Sequence, residues 1–333
     1  MRHGRSIQAA VAALALSALA MTAPAASASS ASSPADPPST PSAPTSFPAR
    51  IDLPDGWQPE GITTDQESLY AGSLVNGAIW KADPRTGTGS VLWPGEEGST
   101  AVGVDYDRTR DLLWVAGGAT GEVRAHDAQT GQLVATYTFR AAKFVNDLTV
   151  TQRGVYATDS MRPVLLVVPL GPPDEELPAA GMRRTIPLTG DYVHVPGEFN
   201  LNGIVFAPGR TLLAVQSVNR NLYSIDRDTG AATLVTVEDA DLTSGDGLER
   251  RGEVLYVVRN FLNEIVALGQ TGATEDGAPT EYTRISTITS DSFAVPTTVA
   301  AARGRLYAVN SRFDITNPPP DTEYWITRVA AVH

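Results

Sequence analysis

The stretch Leu201-Asn202-Gly203-Ile204-Val205-Phe206, followed by Leu212-Leu213-Ala214-Val215 and then by Leu222-Tyr223-Ser224-Ile225-Asp226 ahead of Thr229-Gly230, decides the fold of this chain. A polar residue, a small residue and an aliphatic run are followed by a turn and two further short apolar runs. Runs of this length, rich in Val, Leu, Ile and Tyr and punctuated by Gly and Asp turns, are strands rather than helices. The Thr-Gly pair between two runs supplies a residue that tolerates positive φ in a hairpin.

The same pattern returns along the chain, as it must in a repeat architecture. Five further copies open at Glu60-Gly61-Ile62, Val102-Gly103-Val104, Asn146-Asp147-Leu148, Asp246-Gly247-Leu248 and Thr297-Thr298-Val299. Each is followed by a run such as Leu112-Leu113-Trp114-Val115-Ala116 or Arg305-Leu306-Tyr307-Ala308-Val309. Taking Glu60, Gly103, Asn146, Asn202, Asp246 and Thr297 as equivalent, the separations are 43, 43, 56, 44 and 51 residues. A period of roughly 40 to 50 residues is that of a four-stranded propeller blade. The expected fold is therefore an all-β, six-bladed β-propeller. The sixth copy lacks an outer strand after Val329, and an unpaired edge is a liability. The short segment Phe47 to Leu53 is accordingly expected to pair with Trp325 to Val332 and close the last blade.

Residues ahead of Phe47 read differently. Arg2 and Arg5, the apolar run Ala9 to Met21 and the small residues Ala26-Ser27-Ala28 have the order of a secretory signal peptide. That run is shorter than the roughly 20 residues that span a bilayer. The expected organisation is a leader over 1–28, a Ser/Pro/Ala-rich tether over 29–46 with too little apolar surface to fold, and a single propeller over 47–333. The protein is expected to be secreted, free of the membrane once the leader is cleaved, and monomeric. A net charge of −12 disfavours nucleic acid and anionic membranes as partners and favours cations. With no cysteine there is no disulfide framework, so stability rests on the core.

In a propeller the innermost strands begin beside a central channel, so residues at one repeat position face a common axis. Glu60, Asn146, Asn202 and Asp246 bring carboxylate and amide oxygens to it from separate copies, whereas Gly103 and Thr297 do not. A hard cation such as calcium binds through mixed carboxylate, carbonyl and water oxygens, and two formal negative charges match a divalent ion. The alternative is a set of hydrogen-bonded channel residues that order water.

The motifs Pro59-Glu60-Gly61, Val145-Asn146-Asp147, Leu201-Asn202-Gly203 and Gly245-Asp246-Gly247, in this order and phase, resemble those of the six-bladed propellers grouped as senescence marker protein, gluconolactonase and luciferin-regenerating enzyme. The resemblance covers roughly Phe47 to Val332. It implies one divalent cation, calcium first with zinc or magnesium as alternatives, held by Glu60, Asn202 and Asp246. It also implies that Asn146 contacts substrate or water, that Asp246 doubles as the base, and that a small-molecule lactone or ester is hydrolysed. Lactonases of that family acting on sugar acids carry an arginine two residues before the channel asparagine, where this chain has Phe144. A Phe144 that lines the pocket would point to a less polar substrate. Two other readings stand beside the hydrolase: a secreted binding propeller without catalysis, and a propeller of the strictosidine synthase type. No G-x-S-x-G elbow, cysteine nucleophile or phosphate loop occurs. His194, in the long insertion Gly171 to Asn200, is a further acid or base candidate, while Asp159, Asn219, Asn260 and Asn310 read as turn caps.

Overall fold

A computed structural model describes residues 47–332, and the expected leader and tether lie outside the described residues. Each sequence copy forms an antiparallel meander. Ile62–Thr64, Leu69–Gly72, Ile79–Ala82 and Gly89–Trp93 make the first sheet. Val104–Asp107, Leu112–Ala116, Glu122–Asp127 and Leu133–Thr138 make the second, and Val145–Thr151, Gly154–Asp159, Val164–Pro169 and Arg184–Pro187 the third. The fourth copy runs Leu201–Ala207, Thr211–Gln216, Asn221–Asp226 and Ala231–Glu238, and the fifth Gly245–Arg251, Val254–Arg259, Glu264–Ala273 and Pro279–Thr289. Parallel pairing of Ala231–Glu238 with Pro279–Thr289 fuses these two meanders, with the short Thr189–Gly190, into one nine-stranded sheet. Part of the long insertion is thus not a loop: Arg184–Pro187 is the outer strand of the third sheet.

The last sheet contains Pro296–Ala302, Arg305–Asn310 and Trp325–Ala330, and its fourth strand is Arg50–Asp52. Ile51 pairs with Ile326, and Leu53 N–H donates to Tyr324 O at 2.9 Å. N-terminal closure therefore occurs as the sequence implies, over a shorter strand. Every copy's first strand packs against the first strand of the next, and the sixth returns to the first. The arrangement is a β-propeller.

Burial follows position within each meander. The second strands Leu112–Ala116, Gly154–Asp159 and Thr211–Gln216 are buried throughout, whereas the outer Gly89–Trp93 is largely exposed. Tyr70, Trp114, Tyr156, Tyr256 and Tyr307 sit at equivalent second-strand positions and are fully buried, so one large ring per sheet fills the inter-sheet layer. The Asp-x-x-Thr-Gly turns have a local cause. Asp127 Oδ1 accepts from Gln129 N, Thr130 N and Thr130 Oγ1, and Gly131, at φ +75°, completes the reversal.

Glycines near the axis serve a different purpose. A Cβ on Gly61 would lie 2.3 Å from Val102 O, and one on Gly203 would lie 2.3 Å from Asp246 O. A Cβ on Gly103 would meet Asp147 Oδ1 at 2.4 Å. Gly61, Gly103, Gly203 and Gly247 are therefore equivalent, each letting one inner strand approach the next. This corrects the repeat register at the second copy. The counterpart of Glu60 is Val102, which faces the channel, while Gly103 faces its neighbour and its N–H donates to Asn146 O at 2.8 Å. Alternation along a strand makes a one-residue slip exchange the two faces.

Candidate functional site

At one end of the channel lies a cavity of about 740 Å³ whose lining includes Glu60, Val102, Asn146, Asn202 and Asp246 from five copies. All four polar residues singled out from the sequence are thus brought together, and Thr297 is not among the lining residues. Thr297 is fully buried; its hydroxyl donates to Glu60 O at 2.7 Å and shares a bond with Ser311 Oγ at 2.6 Å, tying the sixth copy to the first.

A second recurring position orients these side chains. Asn146 Nδ2 donates to Ser160 Oγ at 2.8 Å, and Ser160 Oγ donates to Leu201 O at 2.6 Å. Asn202 Nδ2 donates to Ser217 Oγ at 3.3 Å, and Ser217 Oγ donates to Gly245 O at 2.6 Å. Asn260 Nδ2 donates to Asp246 Oδ2 at 2.7 Å. Each partner stands 14 or 15 residues after the channel residue, at the end of the second strand of the same copy. The Ser160 hydroxyl spends its proton on a backbone carbonyl, so it can only accept from Asn146, which fixes the amide with Nδ2 toward the serine. Asn146 Oδ1 is left buried with no hydrogen-bond partner. Such an orphan costs about 1–3 kcal/mol unless something occupies the site.

The two carboxylates are in a similar condition. Glu60 is 7% exposed and Asp246 2%. Burial, then the charges of Asp246 and Asp147, push the Glu60 carboxyl well above its usual range. Burial raises Asp246 as well, partly offset by the amides of Asn260 and Asn202. No hydrogen bond to the Glu60 carboxylate is formed among the described residues. Among those residues no group of three or more His, Cys, Asp or Glu side chains is placed to hold a metal ion. The oxygens gathered here come instead from two carboxylates and two amides. Two acids raised by burial and an orphaned amide oxygen form a donor set that a hard divalent cation fits, since its charge would offset both.

The walls are apolar. Phe144 lines the cavity and meets Phe199 edge-on, with ring centroids 5.0 Å apart at 72°. Its backbone N–H donates to Asp159 Oδ1 at 3.2 Å, so Asp159 is the backbone cap expected, and it sets Phe144 in place. Phe261 and Phe313 complete the rim. Phe199 is presented by the insertion, which Asn200 anchors: its amide donates to Val195 O at 2.9 Å and Glu198 O at 2.7 Å, and accepts from Gln216 Nε2 at 2.8 Å. His194 packs beside Tyr192 and does not line the cavity. Asn260 caps its turn as read from sequence, Oδ1 accepting from Phe261 N at 2.7 Å, and also bonds Asp246 through Nδ2. Ser160, Ser217 and the phenylalanine rim escaped the sequence reading. The serines carried a signal in their constant spacing from the channel residues, whereas the rim comes from loops that keep no repeat phase.

The opposite end of the channel holds a smaller cavity of about 200 Å³ lined by Asp105, Asp147 and Glu249. The two aspartates are engaged. Asp105 Oδ2 accepts from Val150 N at 2.8 Å, and Asp147 Oδ2 from Ile204 N at 3.1 Å, each stapling its strand to the next copy.

No protein-family model matches the chain, and no curated protein matches it by sequence. Among solved structures it is similar to the major allergen Mala s 1 of Malassezia sympodialis, at 16% identity over 85% of this chain and 96% of that one, with a TM-score of 0.63. A streptogramin B lyase aligns at 12% identity over 84% and 97% of the two chains, TM-score 0.59. The Cps50 β-propeller domain of Myceliophteria thermophila aligns at 14% identity over 84% and 98%, TM-score 0.56. At these identities the likeness shows the fold alone, and that fold is the β-propeller.

Proposed function

We propose that the chain is a six-bladed propeller hydrolase of lactones or related esters, exported, and working with one divalent cation at the phenylalanine-rimmed end of its channel. The carrying observation is that Glu60, Asn146, Asn202 and Asp246 converge on one cavity in which Asn146 Oδ1 has no hydrogen-bond partner and both acids are buried. The nine-stranded sheet counts as two blades, because its halves are separate antiparallel meanders joined only at their outer strands.

Glu60, Asn202 and Asp246 would hold the cation, and oxygen donors of this kind favour calcium. When bound, a divalent cation supplies Lewis acidity that stabilises negative charge developing on a carbonyl oxygen. Asn146, locked by Ser160, presents Oδ1 to the cavity and positions water or a substrate hydroxyl. Asp246 takes a proton from the attacking water as its oxygen bonds to the carbonyl carbon. The ring C–O bond then breaks and the proton passes to the departing alkoxide, so that lactone and water become one hydroxy acid. The Asn260 bond steers the second Asp246 oxygen and holds the carboxylate in place.

Streptogramin B lyase, one of the similar structures, shows that a propeller of this outline can carry an enzyme. One observation favours a binding protein without turnover: no histidine lines the cavity, so proton transfer falls to Asp246. The test is a panel of lactones and aryl esters with calcium, after chelation, and with Glu60→Gln and Asp246→Asn. Turnover abolished by chelator, restored by calcium and lost in both variants is expected. Turnover indifferent to all three would overturn the proposal, and ligand binding without turnover would transfer it to the second reading.

A further inference from the structure

The cavity lining has two chemistries: a buried polar floor that includes Glu60, Asn146 and Asp246, with Asn202 beside them, and a collar of phenylalanines, three of which are exposed. Phe199, Phe261 and Phe313 are 50%, 59% and 42% exposed, and of the four exposed phenylalanines among the described residues only Phe206 stands elsewhere. Isolated apolar residues on a surface need no explanation, but a contiguous patch at a cavity mouth marks a binding site. Phe199 is also held rather than adrift, because Phe144 packs edge-to-face against it and the adjacent Asn200 is fully buried. A cavity of about 740 Å³ has the capacity for a drug-sized ligand and exceeds the needs of a bare lactone ring. Arg220, the sole cationic side chain in the lining, lies 3.8 Å from Asp241, so its charge is partly answered within the protein.

We infer that the substrate is a lactone or ester carrying a long alkyl or aryl substituent, with its carbonyl on the polar floor and the apolar substituent in the phenylalanine collar. Glu198, Arg220, Thr243 and Ser244 also line the cavity, but the hydroxyls of a polyhydroxylated ring turned toward the four phenylalanine rings would find no hydrogen-bond partner there, and buried unpaired hydroxyls oppose binding. This deepens the hydrolase reading and rests on it for the identity of the reacting group.

Two measurements separate the claims. The first is kcat/KM of the calcium-loaded protein on γ-lactones bearing no substituent, butyl, octyl or phenyl groups. It should rise about threefold per added methylene until the collar is filled. The ratio between the octyl and unsubstituted lactones should fall at least tenfold in Phe199→Ser combined with Phe261→Ser, two exposed positions whose replacement is checked by a thermal melt. The second is the Kd of the matching lactams, which are not turned over, by calorimetry with and without chelator. Chain-dependent lactam affinity that the double variant loses, with no lactone turned over, would keep the apolar-ligand inference and defeat the hydrolase reading. Turnover with no dependence on the substituent or on the phenylalanines would keep the hydrolase reading and overturn this inference. Neither turnover nor lactam binding would overturn both.

Discussion

The two ends of the central channel are built from the same material and have different chemistry. Both hold buried carboxylates on the innermost strands: Glu60 and Asp246 at one end, Asp105, Asp147 and Glu249 at the other. At the narrow end Asp105 and Asp147 accept backbone N–H groups of the neighbouring copy and act as staples. At the wide end Glu60 has no such partner, Asp246 is met by side-chain amides and by no backbone N–H, and an Asn146 oxygen has none. Acid counts therefore do not locate the site. Nor do unpaired buried atoms alone, since Gln270 Oε1 and Tyr307 Oη also lack partners; what marks the wide end is an unpaired acceptor, Asn146 Oδ1, sharing one cavity with two buried acids.

The comparison breaks most visibly in activity. Asp246→Asn should lower turnover by about two to four orders of magnitude, the usual contribution of a positioned base, while Asp105→Asn at the narrow end should leave it within a few-fold. A kinetic assay on both variants checks the contrast. Next comes Gly203→Ala, whose Cβ would meet Asp246 O at 2.3 Å and push the fourth and fifth inner strands apart. Overpacking of this kind costs about 1–3 kcal/mol or more in a denaturant titration, and here it should also weaken cation binding.

The strand plan was legible in the sequence because most copies repeat a small residue before an aliphatic run, and all but the fourth, which has Leu213 there, carry a large ring in the second strand. Copy openings such as Asn202-Gly203 and Asp246-Gly247 marked both fold and site for one physical reason: the glycine permits the close approach that brings the preceding polar side chain to the axis. The second copy defeated this reading. Val102-Gly103 has no polar residue before its glycine, so Gly103 was placed on the channel instead of Val102. The parallel pairing of Ala231–Glu238 with Pro279–Thr289 left no trace either, since outer strands are solvated and their alternation does not specify a partner. The phenylalanine collar was hidden because Phe199 and Phe313 lie on loops and Phe261 in the short 3-10 turn Asn260–Leu262, segments whose pattern the strand repeat does not carry.

A smaller effect sharpens the account of the narrow end. Asp105→Ala leaves Val150 N–H without its acceptor and should cost about 1–3 kcal/mol of stability without altering cation affinity. The smallest is a pH dependence. Burial pushes Asp105 up to about 6 and Glu249 up to about 8. Both titrate near 4 in the unfolded chain, so between about pH 4 and pH 8 the folded state binds more protons and stability falls as pH rises. Thermal melts across that window should show the decline, and Asp105→Asn with Glu249→Gln should make it shallower, leaving the part due to Asp147, Glu60 and Asp246, which burial also raises.

Calorimetric titration of the metal-stripped protein with calcium tests the central claim most directly, using wild type, Glu60→Gln, Asp246→Asn and Asp105→Asn side by side. The account predicts one cation bound by wild type and by Asp105→Asn, with binding lost in Glu60→Gln and Asp246→Asn. Absence of binding in wild type, or a loss that follows Asp105 instead of Glu60 and Asp246, would contradict it.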